Sequence, residues 1–311
     1  MKHFQISGLD QRVSELILGT ATFHPSNIEE MSGVLDEYIR LGGNILDTAQ
    51  NYGAGDSENA IGMWLNERKN RQDILILTKG GHPDENGPRV NAEAIKYDLF
   101  GSLQRLQTDY IDLYLLHRDD PAVPVEPIVE ALNEHVEQGL IKAIGVSNWS
   151  CERIQEANNY AHAHGLVGFS CSSPHLSLAE PVEPMWPGCV FADKGTRSWH
   201  EVTQFPLLSW SALAGGFFTG RFSPGRRDHP DIVRVYYSDE NWERYRRAEQ
   251  LALKKGCRTL HIALAYVLRQ PFPVGGIIGP RRVEELQSSF EATRIPLSPE
   301  EMRWLNLEEA S

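Results

Sequence analysis

Short apolar runs alternate with amphipathic segments almost from one end of the chain to the other. Eight of them read as buried strands: ELILGTATF, NILDT, DILILTK, YIDLYLLH, LIKAIGVS, LVGFSCS, FPLLSWS and PVGGIIG. Ahead of them, FQIS and RVS flank Gly8-Leu9-Asp10 as a β-hairpin. Between the runs the apolar period lengthens. Residues 27–41 put Met31, Val34, Leu35, Tyr38 and Ile39 on one helical side, with Ser26 or Asn27 as cap and Gly42-Gly43 as stop. Further helices are expected at 57–68, capped by Ser57, and at 91–106, 127–136, 151–163, 242–255, 259–269, 283–292 and 299–307. Two connections, 179–204 and 215–240, are too long for ordinary linkers and read as lids or binding loops.

Eight strand-plus-helix units with no linker between them predict one (β/α)8 TIM barrel over residues 1–311, with an N-terminal β-hairpin and long loops in the second half. A doubly wound sheet is the other arrangement with this alternation. It would carry a glycine-rich turn after the first strand, and GTATFHPSN is not one. At 41% hydrophobic and 23% charged residues the chain can form an ordinary core. Its net charge of −12 argues against a nucleic-acid partner, and an anionic cofactor would need a local cluster of Arg or Lys. No apolar run reaches membrane-spanning length, and MKHFQISGLD has no signal-peptide core, so a cytoplasmic protein is expected. Cys151, Cys171, Cys189 and Cys257 show no paired spacing and read as reduced thiols.

The chemistry concentrates at strand ends. Asp47, Lys79 and His117 close the second, third and fourth runs, and Tyr52 follows the second. In an α/β barrel these ends share one rim, where active sites sit. A titratable group ending a core strand is costly without partners, so the set reads as one polar site. A Lys79 ammonium would favour the phenolate of Tyr52 and make the phenol a better acid, while Asp47 keeps the lysine charged. His117 can hydrogen-bond a substrate oxygen. Such a site protonates an oxygen that is becoming negative. Taken singly, each residue also has a bland reading as a turn residue, rim ion pair, core histidine or packing aromatic.

LDTAQNYG, TK, LLHRDDP, IKAIGVSN, LSWSALAGGFFTGRF and IIGPRR, in this order, resemble the motifs of the aldo-keto reductase superfamily over essentially the whole chain. The resemblance implies a (β/α)8 barrel, a nicotinamide cofactor and reversible carbonyl reduction, with Tyr52 as general acid and Asp47, Lys79 and His117 completing a tetrad. It implies cofactor contacts at Thr20, Ser147, Asn148, Ser173, Trp210, Ser211, Leu213, Gly215, Gly279, Arg281, Arg282, Glu285 and Ser289. Arg281 and Arg282 favour the 2′-phosphate of NADP(H). Where the family often has Asn-Gln, Gln and Asn, this chain has Ser172-Ser173, Glu285 and Ser289. A carboxylate at Glu285 opposes the phosphate and leaves NAD(H) open. Phe23, His24, Arg118 and Trp149 are candidates for the pocket of a small-molecule carbonyl substrate. His162 and His164 point apart on a helix, and no metal site is read. Two other readings stand beside the reductase: an NADP(H)-binding regulatory or sensor module on the same scaffold, and a Schiff-base lyase built on Lys79.

Overall fold

In the computed structural model, residues 1–308 are described; the last three positions of the expected 1–311 domain lie outside them. The barrel strands are β3 (Leu16–Gly19), β4 (Ile45–Asp47), β5 (Leu75–Gly80), β6 (Ile111–Leu116), β7 (Ile141–Ser147), β8 (Ser172–Ser173), β9 (Leu207–Ser209) and β10 (Val274–Ile278). They pair in parallel in that order, and β10 returns to β3 to close the barrel. The helices are α1 (Ile28–Arg40), α2 (Asp56–Arg68), α3 (Ala92–Leu106), α4 (Val125–Glu137), α5 (Cys151–His164), α6 (Lys194–Thr203), α7 (Pro230–Tyr236), α8 (Asp239–Lys255), α9 (Thr259–Leu268), α10 (Val283–Glu291) and α11 (Pro299–Leu305). Two residues each form β1 (His3–Phe4) and β2 (Val13–Ser14), an antiparallel hairpin shorter than FQIS and RVS suggested. The pairing stops early because Ile6 and Leu9 turn in to join the apolar cluster inside the barrel.

Side chains alternate along the strands, and the alternation sorts them into two cores. Ile17, Ile45, Leu75, Leu77, Leu113, Leu115, Ala143, Cys171, Leu208 and Ile277 fill the barrel. Their neighbours Leu16, Leu18, Leu46, Ile76, Tyr114, Leu116, Ile144 and Val146 pack outward against the helices. Asp47, Lys79, His117, Ser147 and Ser173 continue the inward register. Thr20 continues the outward one.

Helix caps correct the reading in two places. α2 begins at Asp56 with left-handed Gly55 as its cap, so Ser57 sits inside the helix. Its hydroxyl instead meets Thr20 Oγ1 at 2.8 Å and Thr48 Oγ1 at 3.0 Å. Asn27 precedes α1 without a side-chain cap bond. The long connections are also not bare loops. α6 is capped by Asp193, whose carboxylate accepts from the Thr196 amide at 2.8 Å, and α7 opens on Pro230. All four cysteines are unpaired. Among the described residues no helix is long and apolar enough to cross a membrane.

Candidate active site

Every barrel strand ends on, or one residue away from, a residue expected at the site. Asp47 ends β4, Lys79 is the penultimate residue of β5, and His117 follows β6. Tyr52 opens a short 3-10 turn (Tyr52–Gly55) between β4 and α2. The Lys79 ammonium joins the set. Its Nζ lies 2.6 Å from Asp47 Oδ1 and donates to Tyr52 Oη at 3.3 Å and to the Thr48 carbonyl at 2.8 Å. Lys79 and Asp47 are almost wholly buried. The His117 ring meets the Tyr52 ring edge to face at 5.8 Å, and its Nδ1 is buried with no hydrogen-bond partner.

Burial is the largest influence on all four groups. It works against the Lys79 charge, but Asp47 and Tyr52 outweigh it and hold the amine above its usual range. It pushes the Asp47 carboxyl up, against the pull of Lys79. It drives His117 well below the ordinary imidazole range, helped by the charges of Lys79 and Arg118, so this ring is neutral. Tyr52 departs from expectation. Burial raises the phenol more than the ammonium lowers it, and the Asp47 carboxylate raises it further. The hydroxyl therefore keeps its proton throughout the neutral range.

The second half of the rim is wired through Asn148, whose backbone is left-handed (φ 61°). Its Oδ1 accepts from Trp210 Nε1 at 3.2 Å and from the Val190 amide at 3.1 Å. Its Nδ2 donates to Ser147 Oγ at 2.9 Å and to the His117 carbonyl at 3.3 Å. Ser147 in turn donates to the Ser173 carbonyl at 2.8 Å, and Ser173 to the Leu208 carbonyl at 2.7 Å. Neither Ser147 nor Asn148 caps α5; Ser150 does. Ser211, Ala214, Gly215 and Gly216 are all left-handed, and a Cβ on Gly215 would stand 2.5 Å from Ile232 Cδ1. Leu213 lies half-buried among them. Past β10, Gly279 and Arg281 are exposed. Glu285 accepts from the Arg281 amide and from Arg282 Nη2, each at 2.9 Å, and buried Ser289 donates to the Glu285 carbonyl.

Several expected residues are occupied elsewhere. The Thr20 hydroxyl is fully buried against Ser57 and the Asp47 carbonyl. Phe23 is core, and Trp149 packs edge-on against Phe169. His24 pairs with Asp56 at 2.7 Å. Two histidines that the sequence did not single out stand at the site instead. His82, three residues beyond Lys79, meets the His117 ring at 5.0 Å. His175, two beyond Ser173, stacks on Trp210 at 4.8 Å and 26°. Each follows a strand end already marked as functional, which is the signal that could have found it. Residues of the 179–204 connection also reach the rim. The His175 amide donates to the Val190 carbonyl at 2.8 Å, and Pro181, Met185 and Cys189 share a cavity of about 160 Å³ with Trp210.

The profile of the aldo/keto reductase family matches residues 15–306. The chain is 32% identical to a norsolorinic acid reductase of Aspergillus flavus over 94% of its own length and 76% of the relative's. It is 28% identical to an aryl-alcohol dehydrogenase [NADP(+)] of Phanerodontia chrysosporium, covering 98% and 85%. A thermostable aldo-keto reductase crystallised with the inhibitor epalrestat superposes with a TM-score of 0.76 at 27% identity, over 99% of both chains. With a lysine bridging carboxylate and phenol at the mouth of such a barrel, the chain belongs to the aldo/keto reductase family.

Proposed function

We propose that the protein is an NADP(H)-dependent oxidoreductase that reduces a small aldehyde, ketone or sugar-like carbonyl, with Tyr52 as the proton donor. Family membership and oxidoreductase-named relatives support an enzyme acting on carbonyl groups. The observation that carries the reading is Lys79, inward-facing, 3.3 Å from the Tyr52 hydroxyl and 2.6 Å from Asp47.

The residues present fit a dinucleotide. Left-handed Ser211 and the left-handed stretch from Ala214 to Gly216 let backbone approach a pyrophosphate closely, and a side chain at Gly215 would collide with Ile232. The Arg281 side chain forms no ion pair among the described residues, which suits a terminal phosphate; Arg282 is already joined to Glu285. Trp210 offers an aromatic face beside Asn148, Ser147 and Ser173 for the nicotinamide. NADP(H) is favoured on Arg281, with NAD(H) use open because of Glu285. When bound, the nicotinamide supplies the hydrogen and electron pair that go to the carbonyl carbon.

The chain's own residues handle the oxygen. Tyr52 holds its proton at neutral pH and gives it to the carbonyl oxygen. Lys79, kept charged by Asp47, stabilises the phenolate left behind. Neutral His117 has one N–H with which to orient the same oxygen. A charged Lys79 is a poor nucleophile, which counts against a Schiff-base lyase.

Cofactor oxidation over a panel of carbonyls, with wild type and Tyr52→Phe, tests the proposal. Tyr52→Phe should lose about 10²–10⁴-fold in turnover while binding NADP(H) normally. Wild-type turnover in that variant would refute the acid role. Tight cofactor binding by the wild type without consumption on any carbonyl would favour the sensor module.

A further inference from the structure

We propose that Arg118 anchors the substrate, and that the carbonyl compound this site takes carries a carboxylate. Arg118 leaves only 9% of its surface exposed and donates one hydrogen bond, from Nη1 to the His117 carbonyl at 2.8 Å. Among the described residues it has no ion-pair partner. Asp119, next in sequence, is held by Arg153 at 2.8 Å, Asp98 by Arg89 at 2.7 Å, and Asp47 by Lys79. A buried guanidinium without an anion is costly. The structural arginines of this protein spend their donors differently. Arg71 contacts Thr108, the Ile74 and Tyr110 carbonyls and Asp112, and Arg153 contacts Asp119 and two carbonyls. The unclaimed N–H groups of Arg118 are not among the sealed side-chain atoms that lack partners, so they open onto accessible space.

That space is the barrel mouth. Arg118 directly follows His117, and its charge is felt by Tyr52, His82, His117 and Cys189. A Cβ added at Gly188 in the long connection would lie 3.7 Å from Arg118 Cδ, so this connection roofs the arginine. The local charge count selects the anion. Lys79 is balanced by Asp47, and burial pulls His82 and His117 towards the neutral form. The Arg118 guanidinium is the charge left without an ion-pair partner among the described residues, because Asp120 is turned onto the Ala122 amide. It suits a monoanionic carboxylate, which guanidinium binds in a two-pronged fork, better than a phosphate dianion.

The inference rests on the reductase reading, and its test separates the two. Kinetics with para-formylbenzoate, its methyl ester and para-formylphenyl phosphate, with NADPH as reductant, should show the wild type preferring the acid through a lower KM. Benzoate, which cannot be reduced, should compete with the aldehyde acid. In Arg118→Met the acid-to-ester ratio of kcat/KM should fall about ten- to hundred-fold, with Arg118→Lys in between. That ratio does not depend on how much of a preparation is folded. If Arg118→Met fails to fold, the wild-type preference and benzoate competition decide the question alone. Reduction of the ester as readily as the acid, or preference for the phosphate, would overturn the carboxylate assignment and leave the reductase standing. No cofactor consumption with any of the three, or with the wider panel, would overturn both.

Discussion

Thr78 and Lys79 are neighbours on β5, yet they serve two different buried polar clusters. Thr78 points outward, where its hydroxyl donates to Glu58 of α2 and Arg105 of α3 donates to the same carboxylate at 2.7 Å. Lys79 points inward to Asp47 and Tyr52. The outer cluster is closed, with a protein donor on each Glu58 oxygen. The inner one is open. Among the described residues the Asp47 carboxylate meets no side chain but the Lys79 ammonium, and His117 Nδ1 has no partner. Both clusters pay desolvation, but only the outer one recovers it within the fold. Unspent hydrogen-bonding capacity at the barrel mouth is what separates a reactive site from a strut.

The largest effect should come from dismantling the open cluster. The double variant Lys79→Met/Asp47→Leu should lose about a hundred- to thousand-fold in turnover. Its unfolding free energy should stay level or rise by up to about 4 kcal/mol, because two buried charges are replaced by apolar groups. A large loss of stability would show that the inner pair is structural after all. Glu58→Ala should do the reverse. It strands Arg105 and should cost about 3 kcal/mol in denaturant unfolding, the lower end for a buried pair because Arg105 is 26% exposed. Turnover per folded molecule should stay within about two-fold, since Glu58 lies in the helix layer, across β5 from the reacting oxygen.

The smallest effect uses pH. The inner site is bordered by imidazoles that burial keeps neutral, His117 well below its usual range and His175 down to about 3. In the unfolded chain each takes up a proton at about pH 6.5. Acidification below that value therefore favours the unfolded chain, at about 1.4 kcal/mol per pH unit for each histidine, until the folded value is reached. Above it the contribution is fully present. His175→Gln should flatten the stability profile between about pH 6.5 and 4 by one proton's slope; an unchanged slope would mean that His175 titrates normally in the fold.

Much of this was legible from the alternation of residues. Runs such as DILILTK encode length, burial on both faces and a polar terminus, so the barrel and the rim positions of Asp47, Lys79 and His117 follow from local pattern. Parity carried more than was read from it. Thr20 shares the register of Leu16 and Leu18, which assigns it to the helix layer, where it meets Ser57. α6 and α7 were masked by the prolines and glycines around them, although Asp193 and Pro230 are ordinary helix starts.

Other features depend on segments far apart in the chain. His82 and His175 reach the site because their loops fold over it. Among the described residues Arg118 has no ion-pair partner: the fold gives Asp119 to Arg153 and turns Asp120 onto the Ala122 amide. By itself the sequence determined the periodicity, and so the strands, their order and which side chains face the barrel mouth, since those are set by bonds between near neighbours. The tertiary structure alone decided that Tyr52 is a weaker acid than its lysine neighbour suggested, because burial sums over atoms brought in from the whole chain while a motif records only adjacent residues.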